Sequence, residues 1–308
     1  MGRYLGLSVW AALVLLLLPG QATARPVRPG QPEVPHRLHI PVLELRYWYM
    51  GQASLPPASA AGQPDADLGL RGHNLRVAAM LGHRFRSSGT TLFAALRYDL
   101  TLNAARPGRL SAWQQDTLHA PFLRLGFHQS IRGRWGVTGY GLLGAGSDMS
   151  ALEAGDLRLV VGAAATYTVS RDLRFVFGAM YTTVFYLPLP LPLLGVDYRR
   201  GPWLLQVQIP RGLGGWWIPL PWLEVGAVIQ MLNLRYGLHA ADRIGDELNW
   251  LNVTAGPALR LYLYRGAHLT IHGGYNVRDI RVSAAGRVTH DELLWQGGFF
   301  SAALGYHL

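Results

Sequence analysis

Few side chains in this sequence have types and spacing that could do chemistry, and the tightest pair is His128 and Ser130. In an extended strand residues two apart share a face, so this imidazole and hydroxyl would meet as the base and nucleophile of an acyl transfer. A carboxylate orienting the histidine would complete the arrangement, but none is placed for it on a neighbouring strand, since Asp148 and Glu153 fall in a loop-like stretch. The pair is expected to be polar filling of an interior, and no catalytic residue is assigned. His268 and His272 also share a strand face, with Thr270 between them, but four residues of strand hold them about 13 Å apart, too far to ligate one metal ion. The sequence contains no cysteine and no phosphate loop, dinucleotide glycine pattern, EF-hand or helical zinc motif. The expectation is a protein without cofactor or metal and with a non-enzymatic role.

The other conspicuous chemistry is cationic. There are 28 basic residues against 18 acidic ones, for a formal charge of +10, and every basic residue is arginine. Such a balance suits nucleic acid, an anionic membrane surface or anionic solutes. Seven arginines, Arg46, Arg76, Arg97, Arg124, Arg158, Arg174 and Arg260, lie on the polar side of alternating stretches, and only Glu44, Asp99 and Glu224 share that side as acids. If that side lines water, it favours anions. If it is packed, the same residues form an ion-pair and hydrogen-bond network.

The elements that must position these residues begin after an export signal. Arg3 precedes an apolar run from Leu5 to Leu18, and Ala22 and Ala24 around Thr23 form a small-residue cleavage site, so residues 1–24 are expected to be a signal peptide. Residues 25–38, with Pro26, Pro29, Pro32 and Pro35, read as an extended periplasmic linker. Export makes nucleic acid the least suitable partner. The remaining apolar region, Tyr181 to Val196, is broken as a helix by Pro188, Pro190 and Pro192.

From residue 39 to 308 the chain alternates with the period of strands that have one lipid face and one interior face. Leu43, Leu45, Tyr47 and Tyr49 oppose Glu44 and Arg46. Leu92, Leu96 and Leu100 oppose Arg97 and Asp99, and Leu123, Leu125 and Phe127 oppose Arg124, His128 and Ser130. Connections alternate short and long: arginine-rich turns at 86–89, 132–134, 170–172, 200–202 and 265–266, and acid-bearing loops near 51–70, 104–116, 147–155, 236–248 and 282–292. Short turns belong in the periplasm, and both termini there require an even strand number. Counting 193–199, 203–210 and 216–219 as three strands gives an all-β, transmembrane antiparallel barrel of fourteen strands, with twelve as the alternative if a pair merges. Only barrels of roughly 16 strands or more reliably leave an open channel, so the two readings of the arginine face stay open. Aromatic residues at strand ends, including Tyr47, Trp48, Trp135, Trp203, Trp216, Trp217, Trp222 and Trp250, are expected to form headgroup girdles.

Two stretches carry resemblances. The C-terminal run Gly297-Gly298-Phe299-Phe300 through Tyr306-His307-Leu308 resembles the β-signal by which outer-membrane proteins are recognised for assembly, with leucine in place of the commoner phenylalanine at the end. The run from Leu187-Pro188 through Pro192-Leu193-Leu194-Gly195-Val196-Asp197-Tyr198, followed by Trp203 to Pro210, resembles an uncharacterised family of bacterial outer-membrane β-barrel domains. That resemblance implies a single barrel and carries no functional residues. The His-x-Ser pair is similar to that of barrel lipases that deacylate lipid A, except that Ile131 follows where those enzymes usually have asparagine. The expected location is the outer membrane of a Gram-negative bacterium. The expected partners are outer-membrane lipid, the barrel-assembly machinery and small anionic solutes, which would pass through or bind within the arginine-lined interior. A lipid-modifying enzyme and a purely structural or surface-interaction barrel are the alternatives.

Overall fold

The computed structural model describes residues 43–51, 53–54, 71–85, 88–104, 116–131, 133–184, 189–239, 246–263, 266–284 and 287–306. The expected signal peptide, the proline-rich linker and most of the first two long loops lie outside these residues. The strands in chain order are β1 (Leu43–Met50), β2 (Ala53–Ser54), β3 (Arg71–Phe85), β4 (Thr90–Ala104), β5 (Asp116–Ile131), β6 (Trp135–Ala145), β7 (Leu157–Thr168) and β8 (Leu173–Thr182). They continue with β9 (Leu189–Arg200), β10 (Trp203–Ile209), β11 (Gly212–Leu220), β12 (Leu223–Gly237), β13 (Glu247–Tyr262), β14 (Ala267–Ala284) and β15 (Arg287–Tyr306). Strands β3 to β15 pair in sequence order, and β1 pairs with both β3 and β15, which closes the sheet on itself. The two residues of β2 only extend β15 locally, so the barrel is a closed antiparallel one of fourteen strands. The twelve-strand alternative fails because the stretch after Pro188 forms three separate strands, β9, β10 and β11, each with its own ladder.

Alternation decides what each face meets. Leu43, Leu45, Val77, Leu92, Leu123, Leu125 and Phe127 point outward and are exposed, and Leu81 and Leu96 are 78% and 64% exposed. Between them Asn74, Asp99 and Thr101 point inward and are fully buried. This reverses the arrangement of a soluble sandwich. Leaving such a belt in water would forgo roughly 1.5–3 kcal/mol for each large side chain, and the hydrocarbon of a membrane removes that cost. Trp135, Trp203, Trp217 and Trp222 point outward near the short turns, as a girdle requires. Three expected girdle members do not: Trp48, Trp216 and Trp250 occupy inward positions and are buried, because each lies one residue off the lipid-facing parity of its strand.

Short turns fix the register. In the turn between β5 and β6, Gly133 adopts a φ of 67°, the left-handed conformation that costs a side chain energy. The turn between Phe85 and Thr90 sets Arg76 opposite Asp99, and Leu43 pairs with Tyr306 at the end that carries these turns. Two further tight turns, at 210–211 and 221–222, frame β11. The expected loop at 282–292 is instead mostly strand: β14 runs to Ala284 and β15 begins at Arg287, so Asp291 and Glu292 fall on β15. Above the bilayer both faces of a hairpin meet water, and polar residues there mimic a loop while remaining in the ladder.

Strand lengths make the barrel taper. β10 has seven residues, about 23 Å of strand, whereas β12 has fifteen, about 50 Å. Beyond the Met231 amide, which donates to the Arg211 carbonyl, β12 has lost its β11 partner and leans across the gap. Asn233 Nδ2 donates to the Val184 carbonyl (3.2 Å) and Arg235 Nη1 to that of Thr183 (2.8 Å), just past the end of β8. Higher still, Gly237 donates to the Gly146 carbonyl (2.8 Å) and accepts from Asp148 (3.1 Å), a parallel contact with the extension of β6. The outer wall therefore closes without β9, β10 and β11, along a seam formed by β12 against the ends of β8 and β6.

Candidate functional site

The interior holds two layers. Towards the outer end, inward side chains from opposite walls meet in an apolar core that includes Met50, Leu118, Phe122, Tyr236, Trp250 and Val282. Tyr236 on β12 is hydrogen-bonded across the lumen to Thr101 on β4 (Oη to Oγ1, 2.9 Å), and Asn74 Nδ2 donates to the same hydroxyl (2.6 Å). Tyr236, Thr101 and Asn74 are all 0% exposed. Leu118, Leu248, Trp250 and Val282 beside them are also buried to 1% exposure or less, so these side chains are shielded from water at this level.

Beneath that core lies the arginine layer. Six of the seven arginines singled out above line it, and five of them are matched by acids on the same or the adjoining strand. Arg46 Nε is 3.0 Å from Glu44 Oε1. Asp99, fully buried, accepts from Arg76 Nε (2.5 Å) and Nη2 (3.2 Å) and pairs with Arg97 Nη2 (2.8 Å). Arg260 Nη1 donates to Glu224 Oε2 (2.7 Å), whose other oxygen accepts from Tyr262 Oη (3.0 Å). Arg174 Nε donates to Asp197 (3.0 Å). Aromatic faces support most of these cations: Arg46 and Arg76 lie 5.3 and 4.7 Å from the centre of the Trp48 ring, Arg97 lies 4.4 Å from Phe122, and Arg260 lies 4.5 Å from Trp216. The inward tryptophans that fail as girdle residues are thus platforms for guanidinium groups.

Arg158 does not line the layer. It is 1% exposed and lies at the seam, where its guanidinium donates to the carbonyls of Gly155 (2.5 Å), Leu157 (3.1 Å) and Arg235 (3.2 Å). Arg124 does line it, but differently: it sits between Phe93 (5.3 Å) and Tyr140 (4.8 Å) and has no carboxylate partner among the described residues. Two charged residues in the interior escaped the sequence reading. Asp197 shares an inward parity with Gly195, a signal available in the alternation, but its partner Arg174 lies across a long connection. Arg278, fully buried, stacks on Trp250 (4.6 Å) and donates through Nε to Asn252 Oδ1 (3.2 Å); it lies on the same parity as Ile280 and Val282.

The candidate nucleophile pair is not assembled. His128 Nδ1 is hydrogen-bonded to Thr138 Oγ1 (2.9 Å), and Ser130 is exposed near the short-turn end. No carboxylate is hydrogen-bonded or ion-paired to His128 among the described residues; its described side-chain partner is the Thr138 hydroxyl. His272 packs edge-on against Phe299 at 4.6 Å and His268 tilts against Tyr262 at 6.3 Å, as aromatic neighbours.

At the outer seam, Asp156 is 1% exposed, and His239 Nε2 donates to its Oδ2 (2.8 Å). Burial disfavours charging His239, but this bond and the carboxylates of Asp156, Glu153 and Asp148 outweigh it and hold the imidazole above its ordinary pKa. A Cβ at Gly237 would overlap the Asp156 carboxylate and crowd His239 Nε2, so any larger residue there would displace this pair.

A closed, even-stranded antiparallel barrel with an apolar exterior, a charged layer inside and the ends of its first and last strands, Leu43 and Tyr306, at the short-turn side is a transmembrane β-barrel of the outer-membrane type. Residues 112–276 match the family model of a domain of unknown function, DUF6268, and the chain belongs to that family. Among solved structures, it is similar to an outer-membrane channel from Pseudomonas putida F1, with 11% identity and a TM-score of 0.47 over 91% of this chain and 99% of that one. It is also similar to the NanC porin (9% identity, TM-score 0.39, 86% of this chain and 100% of that one). A third similar structure is the outer membrane phospholipase A of Escherichia coli (12% identity, TM-score 0.37, 87% and 98%). The likeness is one of barrel architecture. No curated protein matches the sequence.

Proposed function

We propose that this barrel is a non-enzymatic outer-membrane protein that takes small anionic solutes into an arginine-lined interior reached from the short-turn, periplasmic end. The observation that carries the reading is the arginine layer beneath a packed outer core: Arg46, Arg76, Arg97, Arg124, Arg174 and Arg260 face Glu44, Asp99, Asp197 and Glu224, which leaves cations in excess. In a partly desolvated cavity such an excess attracts anions more strongly than it would in water. The packed outer core favours a binding interior over a permanently open pore. Assembly into outer-membrane lipid by the barrel-assembly machinery, guided by the C-terminal strand, belongs to the same proposal.

The test combines two measurements on protein refolded in detergent. A small fluorescent polyanion should bind and be displaced by phosphate or a dicarboxylate, but not by monovalent cations at equal ionic strength. In planar bilayers the same protein should show no steady conductance at neutral pH. Equal displacement by any salt would reduce the effect to screening and end the anion reading, and a large ohmic conductance would replace a binding interior by an open pore.

A further inference from the structure

The lipid-facing wall carries an apolar recess of about 450 Å³ across β8, β9 and β10, lined by Phe175, Phe177, Leu194, Val196, Val207 and Ile209. The ladders set these side chains in rows: Phe175, Val196 and Val207 form one, and Phe177, Leu194 and Ile209 the next. Tyr167 closes one flank, where its ring and that of Phe177 pack on Trp135 (4.6 and 5.8 Å between centroids), so that side of the recess is fixed by ring contacts. Towards the short turns the next row is Leu173, Tyr198 and Leu205, and below it Arg200 pairs with Trp203. Arg200 is exposed on the same parity as Val196, about 13 Å further along β9. It has cationic neighbours, because Arg171 in the turn between β7 and β8 and Arg134 in the turn between β5 and β6 are exposed as well. Backbone bonds tie these ends together: the Thr168 amide donates to the Arg134 carbonyl (2.8 Å) and the Arg199 amide to the Asp172 carbonyl (2.8 Å). Asp172 is the acid of these turns, and Arg134, Arg171 and Arg200 have no ion pair among the described residues.

A smooth apolar wall holds hydrocarbon without preference for any one chain. A recess lets a chain touch protein on both sides, which multiplies its dispersion contacts and singles it out from its neighbours. An unpaired guanidinium at the membrane rim meets lipid headgroups, and its planar donors match the oxygens of a phosphate. Recess and cations follow one another down β9 in the order of tail and headgroup. We propose that this face binds one acidic phospholipid of the leaflet at the short-turn end, with an acyl chain in the recess and the phosphate held by Arg171 and Arg200, Arg134 adding positive charge. The site lies on the outside of the barrel and is independent of the anion-binding interior.

The experiment is native mass spectrometry of the full protein, refolded in detergent and titrated with phosphatidylglycerol or with phosphatidylcholine of the same acyl chains. Wild-type protein should retain one phosphatidylglycerol at least tenfold more tightly than phosphatidylcholine. Changing Arg171→Gln and Arg200→Gln together should remove that preference, while Arg211→Gln, an exposed turn residue at the other end of β10, should change it less than twofold. Leu194→Trp, which fills the recess, should weaken both lipids at least threefold. All of these positions are exposed, and heat-modifiable gel migration identifies the variants that form the barrel. Equal retention of the two lipids by wild-type protein would reduce the face to ordinary lipid belt and overturn the site. A preference that survives the double arginine change within twofold would overturn it too. Phosphatidylglycerol that is displaced by inorganic phosphate and is indifferent to Leu194→Trp would mean a phosphate site without a lipid tail, and the proposal would fall.

Discussion

At the scale of single residues, Asp99 bears the largest electrostatic burden in the interior. It is fully buried, and two guanidinium groups from β3 and β4 converge on it. Asp99→Asn would leave both cations short of a counter-charge inside the barrel, and such a loss costs about 3–5 kcal/mol. Glu44→Gln, beside the quarter-exposed Arg46, should cost about 1 kcal/mol or less because water can re-solvate the cation. Urea unfolding of the two variants in lipid vesicles compares them directly, and equal losses would show that burial does not set the strength of these pairs. The Arg76–Asp99 pair was readable from sequence, since alternation placed both inward and the short turn at 86–89 fixed their register. Arg174–Asp197 was not, because the sequence between the two strands, broken by Pro188, Pro190 and Pro192, carries no short-turn signal from which to count the register. Nor could alternation show that Arg158 is a strut of the seam, since parity gives the face of a residue and not what closes over it.

The elements follow the same division. Strands that cross the bilayer were legible because lipid on one side and packed polar groups on the other impose a strict period of two, and even β9, β10 and β11 emerged once parity was counted. The extension of β15 was not legible, since charge in the sequence marks water and not the end of a ladder. The seam was invisible for a different reason: it joins β12 to the ends of β8 and β6, strands far apart in the barrel order, and depends on β10 being short. Its described backbone bonds are those between Gly237 and the 146–148 segment, and side-chain ties supplement them. His239 is protonated more readily in the folded state than in the unfolded one, so its bond to Asp156 contributes stability that is complete below about pH 6.5 and is lost as pH rises through the elevated folded value. Amide hydrogen exchange at Gly237 and Asp148, corrected for the intrinsic rate, should therefore quicken between pH 6 and pH 9 in wild-type protein. In His239→Gln it should be faster than wild type at pH 6 and independent of pH across that range. Protection that is flat with pH in the wild type would show that the His239–Asp156 bond does not hold the seam.

For the molecule as a whole, the taper and the arginine layer are two halves of one design. Fourteen strands at the short-turn end enclose enough width for a charged layer, and the loss of three strands towards the other end brings opposite walls close enough for Tyr236, Phe122 and Trp250 to fill the space between them. Two properties should then separate under mutation: the outer core decides whether ions cross, and the arginine layer decides which ions do. Truncating Tyr236 and Trp250 together to alanine removes the largest fillers of that core and the bond to Thr101. Each single change should cost about 3–5 kcal/mol, and their sum is not additive because the two belong to one cluster. In planar bilayers the double variant should conduct where the wild type is silent, and its reversal potential in a salt gradient should show preference for chloride over potassium. Reversing Arg124 and Arg260 to glutamate in that background should abolish or invert the preference without closing the path. A wild type that conducts as well as the double variant would place the barrier outside this core. A double variant selective for potassium would mean that the paired arginines are electrically silent and that the interior charge serves packing alone.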